Sequence, residues 1–116
     1  MKILMSHPNK QKGTKAETDV VRYLQERGWK NAERRALKGT LDCGDISGVA
    51  KVCLEVKNQK AQDLAGWVEE LKVEIVNSKA STGAVIHKRK GKANVADWYA
   101  TMPVNIYLDL LKEAGY

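Results

Sequence analysis

The run Val52-Cys53-Leu54-Glu55-Val56-Lys57 constrains this chain more than any other segment. Val52, Leu54 and Val56 alternate with Cys53, Glu55 and Lys57. An extended strand turns that period of two into one apolar face and one mixed face. Gly48 stands just upstream, where a tight turn is needed, and residues 42–48 supply a second extended segment. The spacing predicts a β-hairpin over 42–48 and 51–57.

Helical signals surround the hairpin. Ala16, Val20 and Leu24 recur every four residues with Val21 beside them, and Gly28 is a natural stop, so a helix is predicted over 14–27. Thr14 is the candidate N-cap, with Glu17 three residues on in the capping-box arrangement. Residues 1–12 are polar and basic after Met5, and His7-Pro8-Asn9 opposes regular structure, so they read as a flexible basic arm ahead of a single domain over 13–116. Trp29–Leu37 is expected to be a first strand. Leu64, Trp67, Val68, Leu71 and Ile75 form one stripe of a helix over 63–79. A strand over 83–87, a basic turn, a strand over 95–102 ended by Pro103 and a short helix over 104–114 complete the order. That order is an α/β (α+β) domain with a central mixed sheet flanked by helices.

Composition limits what such a domain can do. The chain has 116 residues, 43% hydrophobic and 29% charged, which is a globular profile for one domain. It has no Phe, so its core is aliphatic apart from Trp and Tyr. The net charge of +6 favours a polyanionic partner, because neutralised phosphates release counterions. Cys43 and Cys53 make no disulfide framework and, with His7 and His87, no zinc-ligand spacing; they read as free thiols of a reducing compartment. The opening MKILM is too short for a signal peptide and no stretch is apolar enough for a membrane span, so a cytoplasmic protein is expected.

The hairpin carries the chemistry. With its turn centred near residue 50, Asp45 lies opposite Glu55, and cross-strand Cβ atoms are about 4.5–5.5 Å apart. Two carboxylates so placed repel, and a divalent cation between them reverses the sign. Hard oxygen donors at that separation suit Mg²⁺ or Mn²⁺. Lys57, two residues beyond Glu55, falls on the same face and brings an ammonium to the same site. The plainer alternative is an ordinary strand with Glu and Lys on a wet face. Glu-x-Lys also occurs at Glu70-Leu71-Lys72, on a predicted helix where positions two apart face different directions. Asp42 is an alternative ligand, but on a regular strand it would point to the opposite face from Asp45. Gln59 reads as a solvated strand end, and Trp67 and Trp98 as core or interface anchors. Lys88, Arg89, Lys90 and Lys92 crowd one turn, which is either a solvated loop or a contact to a DNA backbone, and Lys10, Lys12 and Lys15 could extend the same footprint. No zinc finger or helix-turn-helix signature is visible, so recognition would rest on phosphates and DNA shape.

These residues fall into a known order. Gly13-Thr14-Lys15-Ala16-Glu17, then Arg34-Arg35, then Gly44-Asp45-Ile46, then Leu54-Glu55-Val56-Lys57 resemble the PD-(D/E)xK nuclease superfamily, and within it the archaeal-type Holliday junction resolvases and their phage relatives. Gly44 stands where that pattern has proline. The resemblance implies a restriction-endonuclease-like domain in which Asp45, Glu55 and the backbone carbonyl of Val56 ligate the metal and Lys57 is the catalytic lysine. Glu17 would approach from the first helix, behind those ligands or on a second ion, and Arg34 or Arg35 would contact a phosphate near the scissile bond. The implied protein is a Mg²⁺- or Mn²⁺-dependent endonuclease, homodimeric and selective for branched or junction DNA, working in the cytoplasm or, if phage-encoded, in an infected host. A nuclease for flaps, linear duplex or RNA is the near alternative. A non-catalytic basic nucleic-acid-binding module, or an interaction domain that dimerises through its apolar stripes, is the distant one.

Overall fold

The alternating segment becomes strand β3, Val52–Lys57, in a computed structural model that describes residues 8–36 and 41–116. The other strands are β1 (Glu33–Arg34), β2 (Ile46–Ser47), β4 (Thr82–His87) and β5 (Tyr99–Thr101). They form one five-stranded sheet in the order β1-β2-β3-β4-β5, with β3 in the middle. All neighbours are antiparallel except β3 and β4, whose parallel register runs from Val52–Thr82 to Lys57–His87. A parallel pair needs a crossover, and helix α2, Leu64–Ser78, supplies it. Helix α1 spans Pro8–Glu26 and α3 spans Val104–Glu113, so three helices pack on a mixed sheet in a single α/β domain.

The period of two decides which helix covers which face. Leu54 and Val56 pack with Ala16, Val20 and Val21 of α1, together with Ile46, Ala84 and Trp98. Cys53 packs on the other side with Trp67 and Leu71 of α2 and with Val85. Glu55 shares the Cys53 face and is therefore roofed by α2. The mixed face of β3 is not a wet face.

Local signals explain the turns. After α1 the Trp29 amide donates to the Leu24 carbonyl and the Gly28 amide to the Gln25 carbonyl, with Gly28 at φ +109°, the left-handed stop its position predicts. Gly48 has φ +89°, and any side chain there would run into the backbone carbonyl of Asn31. Asp63 caps α2 by accepting the Gly66 amide at 3.0 Å.

Several expected boundaries shift. Helix α1 starts at Pro8, so residues 8–12 are helical and not part of an arm; residues 1–7 lie outside the described residues. Thr14 is consequently inside the helix and is not its cap: its carbonyl accepts the Thr18 hydroxyl at 3.0 Å. The strand expected over Trp29–Leu37 shrinks to Glu33–Arg34, with residue 37 outside the described set, and Trp29 is half exposed. Residues 42–45 are not strand, because Gly44 at φ +93° turns the backbone before Ile46. The stretch 95–102 divides into a 3-10 turn, Val95–Asp97, and β5. Trp67 and Trp98 are both buried, as core anchors should be. Both cysteines are free. Among the described residues no helix is long and apolar enough to cross a membrane.

Candidate functional site

A cleft of about 690 Å³ opens between the first turns of α1, the segment 41–45 and the C-terminal end of β3. Glu17, Arg34, Arg35, Asp45, Glu55, Val56 and Lys57 all line it, and Lys10, Lys12 and Lys60 stand around the same opening. Two acids, Asp45 and Glu55, and one amine, Lys57, thus line the same cleft. Lys15 is elsewhere: its ammonium pairs with Asp19 at 2.9 Å on the outer face of α1. Lys88, Arg89 and Lys90 do not line the cleft either. The Lys88 ammonium lies 5.8 Å from the ring centre of Trp98 and the Arg89 guanidinium 5.9 Å from that of Tyr99, so the basic turn leans on β5. His87, just before that turn, is buried at the end of β4, its Nε2 2.7 Å from the Thr101 hydroxyl.

Asp45 owes its position to backbone needs. The hairpin turn is centred as predicted, since Ile46 pairs with Leu54. Beyond that pair the ladder stops: the Asp45 amide donates to the Leu54 carbonyl at 2.9 Å, and the Asp45 carbonyl accepts the Arg35 amide at 2.8 Å. With no further strand beside it, the Val56 amide needs an acceptor, and Asp45 Oδ2 takes it at 2.7 Å. Asp45 and Glu55 are therefore joined through the edge of β3 and do not simply face each other across a regular ladder. Asp45 itself lines the cleft.

Glu55 is only 3% exposed. Burial, and then the carboxylates of Asp45, Glu70 and Glu74 around it, push its carboxyl far above the usual range. Glu74 is 1% exposed and is pushed up to about 8, first by burial and then by Asp42. Asp42, Glu55, Glu70 and Glu74 each bring a carboxylate oxygen within 4.8 Å of the others. This acidic group could hold a metal ion. Asp42 reaches it because residues 42–45 are not strand, so the alternation that would have turned it away from Asp45 does not apply. Glu70 and Glu74 were not anticipated. The available signal was Glu74 itself, a carboxylate set within the apolar stripe of Trp67, Leu71 and Ile75.

Lys57 faces the same acids. Its ammonium lies 3.3 Å from Glu70 Oε2 and 3.4 Å from Oε1. Burial works to lower its pKa, but Glu55 and Glu70 outweigh that and hold it above the usual lysine value. Glu17 points in from α1 and accepts from Arg34 Nε at 3.0 Å. Burial raises its carboxyl, and Arg34 opposes the rise. The capping-box role is excluded by where α1 begins, so Glu17 is free for this contact.

Compared with known proteins, the chain matches no family model, no curated protein and no solved structure.

Proposed function

We propose that the protein is a metal-dependent, structure-selective DNA endonuclease of the PD-(D/E)xK type, with branched or junction DNA as its substrate. The observation that carries this reading is the convergence of Asp45, Glu55 and Lys57 on one cleft rimmed by Arg34, Arg35, Lys10 and Lys12. The donor set suits a hard divalent ion, because every candidate ligand is a carboxylate or carbonyl oxygen and Asp45, Glu55 and Val56 line one cleft. Asp45, Glu55 and the Val56 carbonyl would hold Mg²⁺ or Mn²⁺. Such an ion supplies charge neutralisation at a phosphate and lowers the pKa of nearby water.

The chain's own groups account for the rest. Lys57, whose ammonium sits beside Glu70, neutralises charge that builds on the phosphate oxygens. Arg34 and Arg35 bind phosphates beside the scissile one, with Glu17 fixing the Arg34 side chain. The lysines at the start of α1 extend that track. Contacts of this kind read backbone and shape rather than bases, and a two-fold dimer of such clefts matches the symmetry of a four-way junction. A cytoplasmic site of action follows from the substrate.

The test is cleavage of a four-way junction, a flap and linear duplex, with Mg²⁺ or with chelator, by the wild type and by Asp45→Asn and Lys57→Ala. Metal-dependent cutting lost in both variants while DNA binding survives is the expected result. Binding without cutting by the wild type would leave a basic binding module. Equal cutting of linear duplex and RNA would remove the junction preference and keep the nuclease.

A further inference from the structure

We infer that Asp42, Glu55, Glu70 and Glu74 form a second divalent-cation position, on the α2 side of Glu55, whose role is to clamp the segment 41–45 onto α2. It is distinct from the position that Asp45, Glu55 and the Val56 carbonyl would provide, and it depends on no assumption about the reaction.

Glu74 is the anchor of the argument. It is 1% exposed, and both of its carboxylate oxygens are buried without a hydrogen-bond donor among the described residues. Carboxylate oxygens of Asp42, Glu55 and Glu70 lie within 4.8 Å of its own. A buried carboxylate surrounded by like charges is expensive to keep ionised. Among the described residues Glu70 alone of the four has a cationic partner, Lys57, and that ammonium does not reach Glu74's oxygens. What remains to balance the group is a proton or a metal ion. Four oxygens converging from three separate chain segments is an arrangement a hard cation uses and a single proton does not need. Asp42, Glu55 and Glu70 line the cleft while Glu74 does not, so the ion would enter from the cleft and be held from beneath.

The structural consequence follows from what Asp42 touches. Its Oδ1 accepts the Gly44 amide at 3.0 Å, and its backbone carbonyl accepts Asn77 Nδ2 at 2.9 Å from α2. At Gly44, φ is +93° and any Cβ would come within 2.9 Å of Cys53 Sγ and 3.0 Å of the Leu54 carbonyl oxygen, so this turn presses against β3. A cation that joins the Asp42 carboxylate to Glu70 and Glu74 closes the same turn from its other side. The residue delivered by that turn is Asp45.

The test uses the full chain freed of metal with chelator and titrated with Mn²⁺, reading bound ions by electron paramagnetic resonance and melting temperature by fluorimetry. The wild type should bind at least one ion, and a second if the Asp45 position is also real, and gain stability on binding. Glu74→Gln should lose one ion and most of the Mn²⁺-dependent rise in melting temperature, while Asp45→Asn keeps that rise. Asp42→Asn, at an exposed position that leaves the core intact, should weaken the stabilising ion by about tenfold or more even if Glu74→Gln folds poorly. Equal ion counts and equal melting shifts in the wild type, Glu74→Gln and Asp42→Asn would overturn the inference and leave a proton as the balancing charge. Loss of DNA cleavage alone does not touch it: a wild type that binds and is stabilised by Mn²⁺ through Glu74 yet cuts no DNA would remove the nuclease reading and keep this site.

Discussion

Glu70 Oε2 lies 3.3 Å from the ammonium of Lys57, and the same carboxylate belongs to the acidic group around Glu55. Lys57 is thereby tied to the residues that would hold a cation. Glu70→Gln should slow DNA cutting by about fivefold or less, since a partly exposed ion pair is worth at most about 1 kcal/mol. Lys57→Ala should cost about a hundredfold or more, the usual toll for removing a group that meets developing charge. Single-turnover cleavage measures both. An NMR titration of the Lys57 side chain should also show its pKa falling in Glu70→Gln, which a purely structural role for Glu70 would not produce.

Stability of the metal-free protein should depend on pH through the buried acids. The Glu74 carboxyl rises from the usual 4.5 to about 8 on folding, and Glu55 moves in the same direction. A group with a raised folded pKa binds its proton more tightly in the folded state, so its contribution is complete below the unfolded value and is lost as pH rises through the folded one. The melting temperature of chelated protein should therefore fall between about pH 5 and pH 8. Glu74→Gln should flatten that fall and be the more stable protein at pH 8, by about 1–3 kcal/mol, because it replaces an unpartnered buried charge. A wild type whose stability rises across this range relative to Glu74→Gln would refute the assignment.

The roof over Glu55 should be sensitive to its packing. Leu71 is fully buried between α2 and the sheet, beside Trp67 and Val85. Leu71→Ala should cost about 2.7–5 kcal/mol in urea unfolding, from lost burial and the cavity left behind. Gly48→Ala should also destabilise, by more than about 1 kcal/mol, because the added methyl meets the Asn31 carbonyl at a left-handed backbone position.

DNA contacts should divide by location. Arg34→Ala with Arg35→Ala should weaken binding and cutting together, because both side chains line the cleft. Replacing Lys88, Arg89 and Lys90 by Ala should weaken binding while leaving the rate of bound substrate unchanged, because that turn lies against Trp98 and Tyr99. Each phosphate contact removed should lower the slope of log affinity against log salt by about one. An unchanged slope in the triple variant would take the basic turn out of the footprint.

The strand period was the most readable part of this chain. Val52 to Lys57 named β3, its two faces and the centre of its turn, and the stripe from Leu64 to Ile75 located α2 within a residue at each end. Both are long patterns whose burial agrees with their local propensity. The short strands were overestimated because β1 and β2 are held by pairing and not by apolar alternation. The start of α1 was missed because Pro8 reads as a breaker in isolation, yet it suits the first turn of a helix, where its missing amide costs nothing. Asp45, Glu55 and Lys57 were legible because they lie on or next to one strand. Glu70 and Glu74 were not, since their meeting with Glu55 depends on how α2 crosses the sheet, a relation between distant segments that no local spacing encodes. Asp42 was set aside by an alternation rule that Gly44 cancels.

The parallel pairing of β3 with β4 has a consequence for how this protein comes into being. Val52 meets Thr82 only after the whole intervening crossover has closed, and such long-range closures form late and slowly. The helix that makes the closure is also the one that carries Glu70 and Glu74 down onto Glu55. Half-folded chains would therefore keep these acids apart and hydrated, and their mutual repulsion arises only as the native topology is completed. A divalent ion that binds only once the acids have met would act by slowing unfolding of the finished domain and not by hastening its folding.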